Sequence, residues 1–242
     1  MTHRQTPDPA PGPAPTAGLS ALLVLADGRF PAGGHAHSGG LEAAVAAGRV
    51  RDAADLESFL RGRVATSGAT AAAFAAAACG RPADPSGAAL RELDAELDAR
   101  TPSPALRAAS RRLGRQLLRA VGAVRPHPEL DVLAAALPEG PHQPVGLGVA
   151  ARVLGLGPHA AATAALHEAA SGPATAAVRL LGLDPFAAHG VLVRLGPQLD
   201  ALARDAAASA SAAAARLAAL GAPMLDISAQ THAAWEVRLF AS

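Results

Sequence analysis

The stretch SPALRAASRRLGRQLLRAVGAV, residues 103–124, decides the fold class of this 242-residue chain. It opens with Ser-Pro, which is typical of a helix start because serine caps the first turn and proline suits the first helical position. Four apolar residues recur at helical spacing: Leu106, Leu113, Leu117 and Val121. Five arginines lie mostly off this face: Arg107, Arg111, Arg112, Arg115 and Arg119. The stretch therefore predicts an amphipathic helix.

The same polar caps, apolar stripes and glycine or proline stops recur on both sides of this helix. Helices are predicted from Leu19 to Asp27, from Ser38 to Gly48, from Asp52 to Val64, through the alanine-rich run to Gly80, from Ser86 to Leu97, at 129–137, 144–155, 158–171 and 173–182, around Leu192–Leu202 with a break or kink at Pro197, and on to Leu220. The segment 222–242 is predicted to be irregular or extended at its start. Because no alternating strand pattern is found, we expect an all-α fold, a single compact bundle of about ten helices.

The ends of the chain differ in composition. Residues 1–17 are rich in proline and alanine without apolar periodicity, so a disordered tail is predicted there and the folded domain is expected to span 18–242. The N-terminus has no apolar signal-peptide core, and no apolar run is long enough to span a bilayer. A cytoplasmic protein without a membrane segment is expected.

Composition also restricts the chemistry. The net charge is +1 and there is no lysine, which excludes a P-loop and Schiff-base catalysis. The candidate nucleophiles Ser38, Ser110 and Cys79 have no activating sequence context, and Cys79 is interpreted as a small buried hydrophobe. These features favour an interaction protein without a cofactor over an enzyme. Its alanine-rich core buries little area per contact, which points mildly to dependence on partners.

Two other functions are open from the residues. The arginines of 103–124 could bind nucleic acid, but Glu92, Asp94, Glu96 and Asp98 precede them and predict a self-neutralised face. His35 and His37, in the sequence HAH, could share a metal ion, although no nearby ligand set completes a site.

Two segments resemble the urease accessory protein UreF family. Residues 22–52, LLVLADGRFPAGGHAHSGGLEAAVAAGRVRD, are similar to its N-terminal signature, which combines an apolar helix, a Pro-x-Gly-Gly loop and a Ser followed by x-Gly-Leu-Glu. The C-terminal end, with Arg238, Leu239, Phe240 and Ser242, is similar to the tail of that family. The resemblance extends over about residues 19–242.

This resemblance implies a non-enzymatic helical scaffold. Proteins of the family form dimers and bind UreD, also called UreH, and the GTPase UreG. The complex couples GTP hydrolysis to nickel insertion into the urease apoprotein. With this resemblance, the alternative for His35 and His37 is a nickel-binding metallochaperone.

On the same resemblance, the candidate residues of the chain are interface residues. They are Phe30, Pro31, Gly33, Gly34, Ser38, Glu42, Arg179, His232, Arg238 and Phe240. Glu42 could form an ion pair within the fold or contact a partner. Arg179, in an apolar context, must reach solvent or meet an acceptor. His232, Arg238 and Phe240 suit a terminus that orders on binding or docks onto its own core.

Overall fold

Helices form nearly all the regular structure in the computed structural model, which describes residues 18–241. Its eleven α-helices are α1 (Leu19–Leu25), α2 (Leu41–Ala46), α3 (Ala53–Arg63), α4 (Ala69–Gly80), α5 (Ala88–Ala99), α6 (Pro104–Val124), α7 (Pro128–Ala136), α8 (Gln143–Val153), α9 (Pro158–Leu181), α10 (Pro185–Ala208) and α11 (Pro223–Ala233). A π-helical turn, Val64–Gly68, joins α3 to α4. No strand occurs within 18–241. The all-α prediction is confirmed, whereas the predicted tail at 1–17 lies outside the described residues.

The alanine-rich helix α4 lies at the centre of the core. It packs against α8, α9 and α10. The run from Ala75 to Ala78 and the ring of Phe74 are fully buried. Because alanine adds only a methyl group, neighbouring helices approach α4 closely and each contact buries little apolar area. Among the described residues, no helix combines the length and apolarity that crossing a membrane requires.

The C-terminal end of α4 is closed by a side chain from α8. Arg152 donates from Nη1 to the carbonyls of Ala78 at 2.7 Å, Cys79 at 3.3 Å and Arg81 at 2.7 Å, and from Nε to Glu129 at 2.7 Å. These bonds satisfy carbonyls that the helix end leaves free. Burial raises the pKa of Cys79 to about 11, so its thiol stays protonated. This agrees with its interpretation as a buried hydrophobe.

Two predicted helix caps are confirmed and two lie further from the helix than expected. Asp52 and Ser103 accept hydrogen bonds from the first turns of α3 and α6. The helices predicted to start at Ser38 and Ser86 instead follow a left-handed glycine, at Gly40 and Gly87. Both serine hydroxyls still accept a bond from the first turn, so the polar signal is genuine, but the helix cap lies two residues after Ser38 and one residue after Ser86.

Three predicted boundaries are wrong. The segments 158–171 and 173–182 form one helix, α9, which contains a buried Pro173. A proline inside a helix removes one hydrogen bond, but packing on both sides holds the backbone helical. α10 continues past Pro197 without a break and ends at Ala208 rather than near residue 220.

The start of the last segment is also helical rather than irregular or extended. Pro223 occupies the first turn of α11, where its fixed φ and missing amide are favourable. Regular structure ends after Ala233, and residues 234–241 at the end of the segment are irregular.

Candidate partner-binding site

A buried carboxylate fixes the C-terminal tail, residues 234–241, to the N-terminal part of the fold. Glu42 lies in the first turn of α2 and is 8% exposed. Its carboxylate accepts hydrogen bonds from His232 Nε2 at 2.8 Å and from the backbone amides of Leu239 at 2.7 Å and Phe240 at 3.0 Å. One side chain therefore determines where the tail runs.

The loop before α2 supports this arrangement from the other side. The hydroxyl of Ser38, fully buried, accepts a bond from the Glu42 amide at 3.2 Å. The Ala241 amide donates to the Ala36 carbonyl at 2.8 Å. Gly33 has a left-handed φ of 82°, a backbone conformation that is strained for residues with a Cβ, so glycine is favoured at this position of the loop.

Arg179, at the C-terminal end of α9, covers the last aromatic residue of the tail. Its guanidinium carbon lies 4.9 Å from the centroid of the Phe240 ring, a cation–π contact. Phe240 is only 5% exposed, whereas Arg179 is exposed. The arginine thus meets an aromatic face while its charge remains in solvent.

Between its anchors the tail presents side chains to solvent. Val237 is 87% exposed and Leu239 is 54% exposed. Arg238, also exposed, lines an open depression together with His35, Arg179 and Glu236. Because the tail is anchored at Glu42 and by Phe240, it holds two apolar side chains and one cation in fixed positions on the surface.

The structure divides the ten candidate residues into buried anchors, surface arginines and residues of the loop before α2. Ser38, Glu42, His232 and Phe240, here named the anchor cluster, are buried and contact each other or the tail. Arg179 and Arg238 are at the surface beside them. Of the loop residues, Phe30 packs against the hydrophobic core, Pro31 is exposed, and Gly33 and Gly34 lie partly buried at the turn before α2. Glu42 was predicted either to form an ion pair within the fold or to contact a partner, and the structure shows the contact within the fold, to His232.

Several contributors to the site carry no signal in the sequence. The Leu239 amide and the Ala36 carbonyl are backbone groups; any residue type would supply the carbonyl, and any except proline would supply the amide. The Trp235 ring lies 4.8 Å from the ring of His232 and was not among the candidates. Arg49 donates to the Ser228 hydroxyl at 2.9 Å and joins α11 to the segment after α2, a contact that no local pattern indicates.

The anchor at Glu42 predicts acid-induced release of the tail. Burial would raise the pKa of Glu42, but the bonds from Leu239, His232 and Phe240 outweigh it and hold the pKa below its ordinary value. A lowered pKa means that the stabilisation is complete above the unfolded-state pKa and disappears as the pH falls through the folded-state pKa. We therefore expect the tail to detach only at acidic pH, as the pH falls below the ordinary titration range of a glutamate and through the lowered pKa of Glu42.

Fluorescence of Trp235, the single tryptophan, measures this release. The signal should change as the pH falls below the ordinary titration range of a glutamate, while far-UV circular dichroism still shows the helices. The variant Glu42→Gln, which has no titrating group at position 42, is the control. An unchanged signal while the helices persist would show that Glu42 does not control the tail.

The two loop histidines, His35 and His37, lie in different environments. His35 is exposed, whereas burial and the nearby charge of Arg112 lower the pKa of His37 to about 4. Within residues 18–241, no three His, Cys, Asp or Glu side chains are grouped as a metal site. The geometry therefore supplies no third ligand to the pair.

Three of the five arginines of α6 bind groups within the chain. Arg111 bridges Asp94 at 2.9 Å and Asp98 at 2.7 Å, and Arg107 lies 3.5 Å from Asp98. Arg115 donates to the Glu139 carbonyl. The predicted self-neutralisation by the preceding acidic stretch is confirmed for Arg107 and Arg111, so these cations are not available as a continuous phosphate-binding surface.

The sequence is similar to one family model and to several known proteins. The UreF family model matches residues 50–196. The urease accessory protein UreF of Mycolicibacterium vanbaalenii is 46% identical over 224 residues, which are 93% of this chain and 99% of that protein. The protein of the same name from Mycobacterium marinum is 43% identical with the same coverage. That of Mycobacterium tuberculosis H37Rv is 40% identical over 214 residues, 88% of this chain and 94% of its own.

Proposed function

Because this chain belongs to the UreF family of urease accessory proteins, we propose that it is a non-enzymatic scaffold for nickel insertion into urease. It binds UreD, also called UreH, and the GTPase UreG, and it couples GTP hydrolysis to nickel delivery into the urease apoprotein. It acts in the cytoplasm as a homodimer. The absence of lysine supports this role, since the chain itself cannot form a P-loop and depends on a partner for nucleotide hydrolysis.

The anchored tail is the observation that carries this proposal. The anchor cluster is buried and so acts by positioning, whereas Val237, Arg238 and Leu239 are exposed and contact the partner. A tail that is already ordered loses less conformational entropy on binding than a free chain end. Arg179 adds a second surface cation beside it, and its guanidinium can form paired hydrogen bonds with a carboxylate of UreG.

Co-elution with purified UreD and UreG tests the proposal. The wild-type chain should elute with both proteins. Arg179→Ala should weaken the complex, and deletion of 232–242 should abolish it, because the first removes a surface cation and the second removes the whole tail. Arg194→Ala is the matched control, since Arg194 is an equally exposed arginine that pairs with Glu57 on the surface. Intact complexes with both variants would show that the tail is not the interface.

A maturation assay tests the coupling. Apo-urease mixed with UreD, UreG, GTP, nickel and this chain should become active, whereas omission of this chain should leave it inactive at the same nickel concentration. Activation that is equally fast without this chain would contradict the proposed role.

A further inference from the structure

An apolar groove lies between α3, the segment after α2 and the start of α11. It encloses about 460 Å³, a volume that is ordinary for a ligand-binding cleft. Its apolar wall consists of Val50, Phe59, Ala222, Pro223, Met224 and Leu225. The groove is separate from the tail, which is fixed by the opposite end of α11 through His232.

Two arginines line this groove without a close carboxylate. Arg63 donates from Nε to the Ala169 carbonyl at 3.0 Å, and Arg49 donates to the Ser228 hydroxyl. Among the described residues, neither guanidinium has a carboxylate oxygen within 4.0 Å. Each guanidinium has five N–H groups, so most of its donors remain for another molecule.

The surroundings of Arg63 make an added negative charge favourable. Burial lowers the pKa of Arg63 to about 10, and only the more distant charge of Glu168 opposes this effect. A partly desolvated cation gains more from an ion pair than an exposed cation does, because its hydration has already been reduced. Asp55, the one acidic residue of the groove, is already paired with Arg51 at 2.9 Å.

The apolar surface continues out of the groove along α11. Met224 is 56% exposed and Ile227 is 60% exposed, and their spacing of three places them on the same side of the helix. A small ligand confined to the groove would leave Ile227 uncovered. An amphipathic helix lying across the groove and α11 would cover both Met224 and Ile227, a mode of binding that is common for hydrophobic grooves.

We infer that this groove binds an amphipathic helix of a partner protein, whose apolar side chains fill the groove and whose Asp or Glu pairs with Arg63 and Arg49. The inference rests on the proposed function, since the partner is one of the proteins of the same maturation complex. The groove then forms a second contact region, connected through α11 to the tail.

Assembly with purified UreD, UreG and apo-urease tests the groove. Met224→Asp and Arg49→Glu should each weaken the affinity for one of these proteins by about tenfold or more. Met224→Asp places a negative charge against the apolar face of the partner helix, and Arg49→Glu places one against its carboxylate. Val124→Asp and Arg125→Glu, at the exposed end of α6, are matched controls and should bind as wild type. Circular dichroism verifies that each variant is folded.

Crosslinking identifies the occupant. A photoreactive amino acid in place of Ser58, an exposed residue lining the groove, should crosslink within the assembled complex to a partner segment with an acidic residue beside apolar ones. A crosslink to residues 1–17 of this chain, to a second copy of it or to no protein would overturn the inference, as would a lipid retained in the groove by native mass spectrometry.

The two proposals fail differently. If the groove variants assemble as wild type while deletion of the tail abolishes the complex, only the groove inference is wrong. If the wild-type chain binds none of the three proteins, the proposed function is wrong and the groove inference falls with it.

Discussion

Replacing Gly148 with alanine is expected to lower the free energy of unfolding by about 3 kcal/mol, the upper range for overpacking a core. A Cβ at this position of α8 would lie 2.3 Å from the Ala75 carbonyl oxygen, 2.7 Å from Cβ of Ala78 and 2.9 Å from the Cys79 amide nitrogen. Two of these atoms belong to the backbone of α4, so relief requires the helices to separate. The melting temperature measured by circular dichroism should fall by about 6–12 °C.

Gly146 provides the control within the same helix. A Cβ there would contact only Cγ of Pro141 at 3.5 Å and backbone atoms of Gly114 at 3.8 Å, which is ordinary van der Waals contact. Alanine also favours a helix over glycine by about 1 kcal/mol, so Gly146→Ala should be neutral or stabilising. Equal melting temperatures for the two variants would show that α4 and α8 are not as close as the structure places them.

Replacing Glu42 with alanine is expected to release the C-terminal tail and to lower the free energy of unfolding by about 2–3 kcal/mol, the usual cost of leaving buried donors unsatisfied. The variant removes the acceptor of three hydrogen bonds, from His232, Leu239 and Phe240. Hydrogen exchange of the Leu239 and Phe240 amides should become fast, while the amides of α4 stay protected. Urea denaturation gives the change in stability.

Glu57→Ala is the control for this loss. Glu57 also binds two partners, Arg61 and Arg194, but both arginines are about half exposed. Exposed ion pairs contribute at most about 1 kcal/mol, so this variant should change stability little and leave the tail protected. Slow exchange of the tail amides in Glu42→Ala would mean that other contacts, such as Arg179 with Phe240, suffice to hold it. The tail would then not depend on the carboxylate.

The fold class and several helix starts were predictable because they depend on neighbours in the sequence. Asp52 and Ser103 cap helices through amides two or three residues away, and the apolar stripe of α6 follows from helical spacing. The pairing of Arg111 with Asp94 and Asp98 was predictable for the same reason, since an acidic stretch directly precedes the arginines. Resemblance indicated the residues of the candidate site but not which of them are buried.

Other features depended on distant parts of the chain. Pro173 was interpreted as a boundary because local energetics oppose proline in a helix, whereas tertiary packing keeps α9 continuous. Gly148 is unremarkable in sequence, and its importance comes only from the backbone of α4 beside it.

The sequence by itself determined an all-helical chain and the family to which it belongs. Only the tertiary structure decided that Glu42 binds groups 190 to 198 residues away, and that the side chains around it hold the tail while Val237, Arg238 and Leu239 stay exposed. The physical reason is that capping and helical periodicity are short-range, whereas the satisfaction of a buried carboxylate depends on whichever donors the completed fold brings to it.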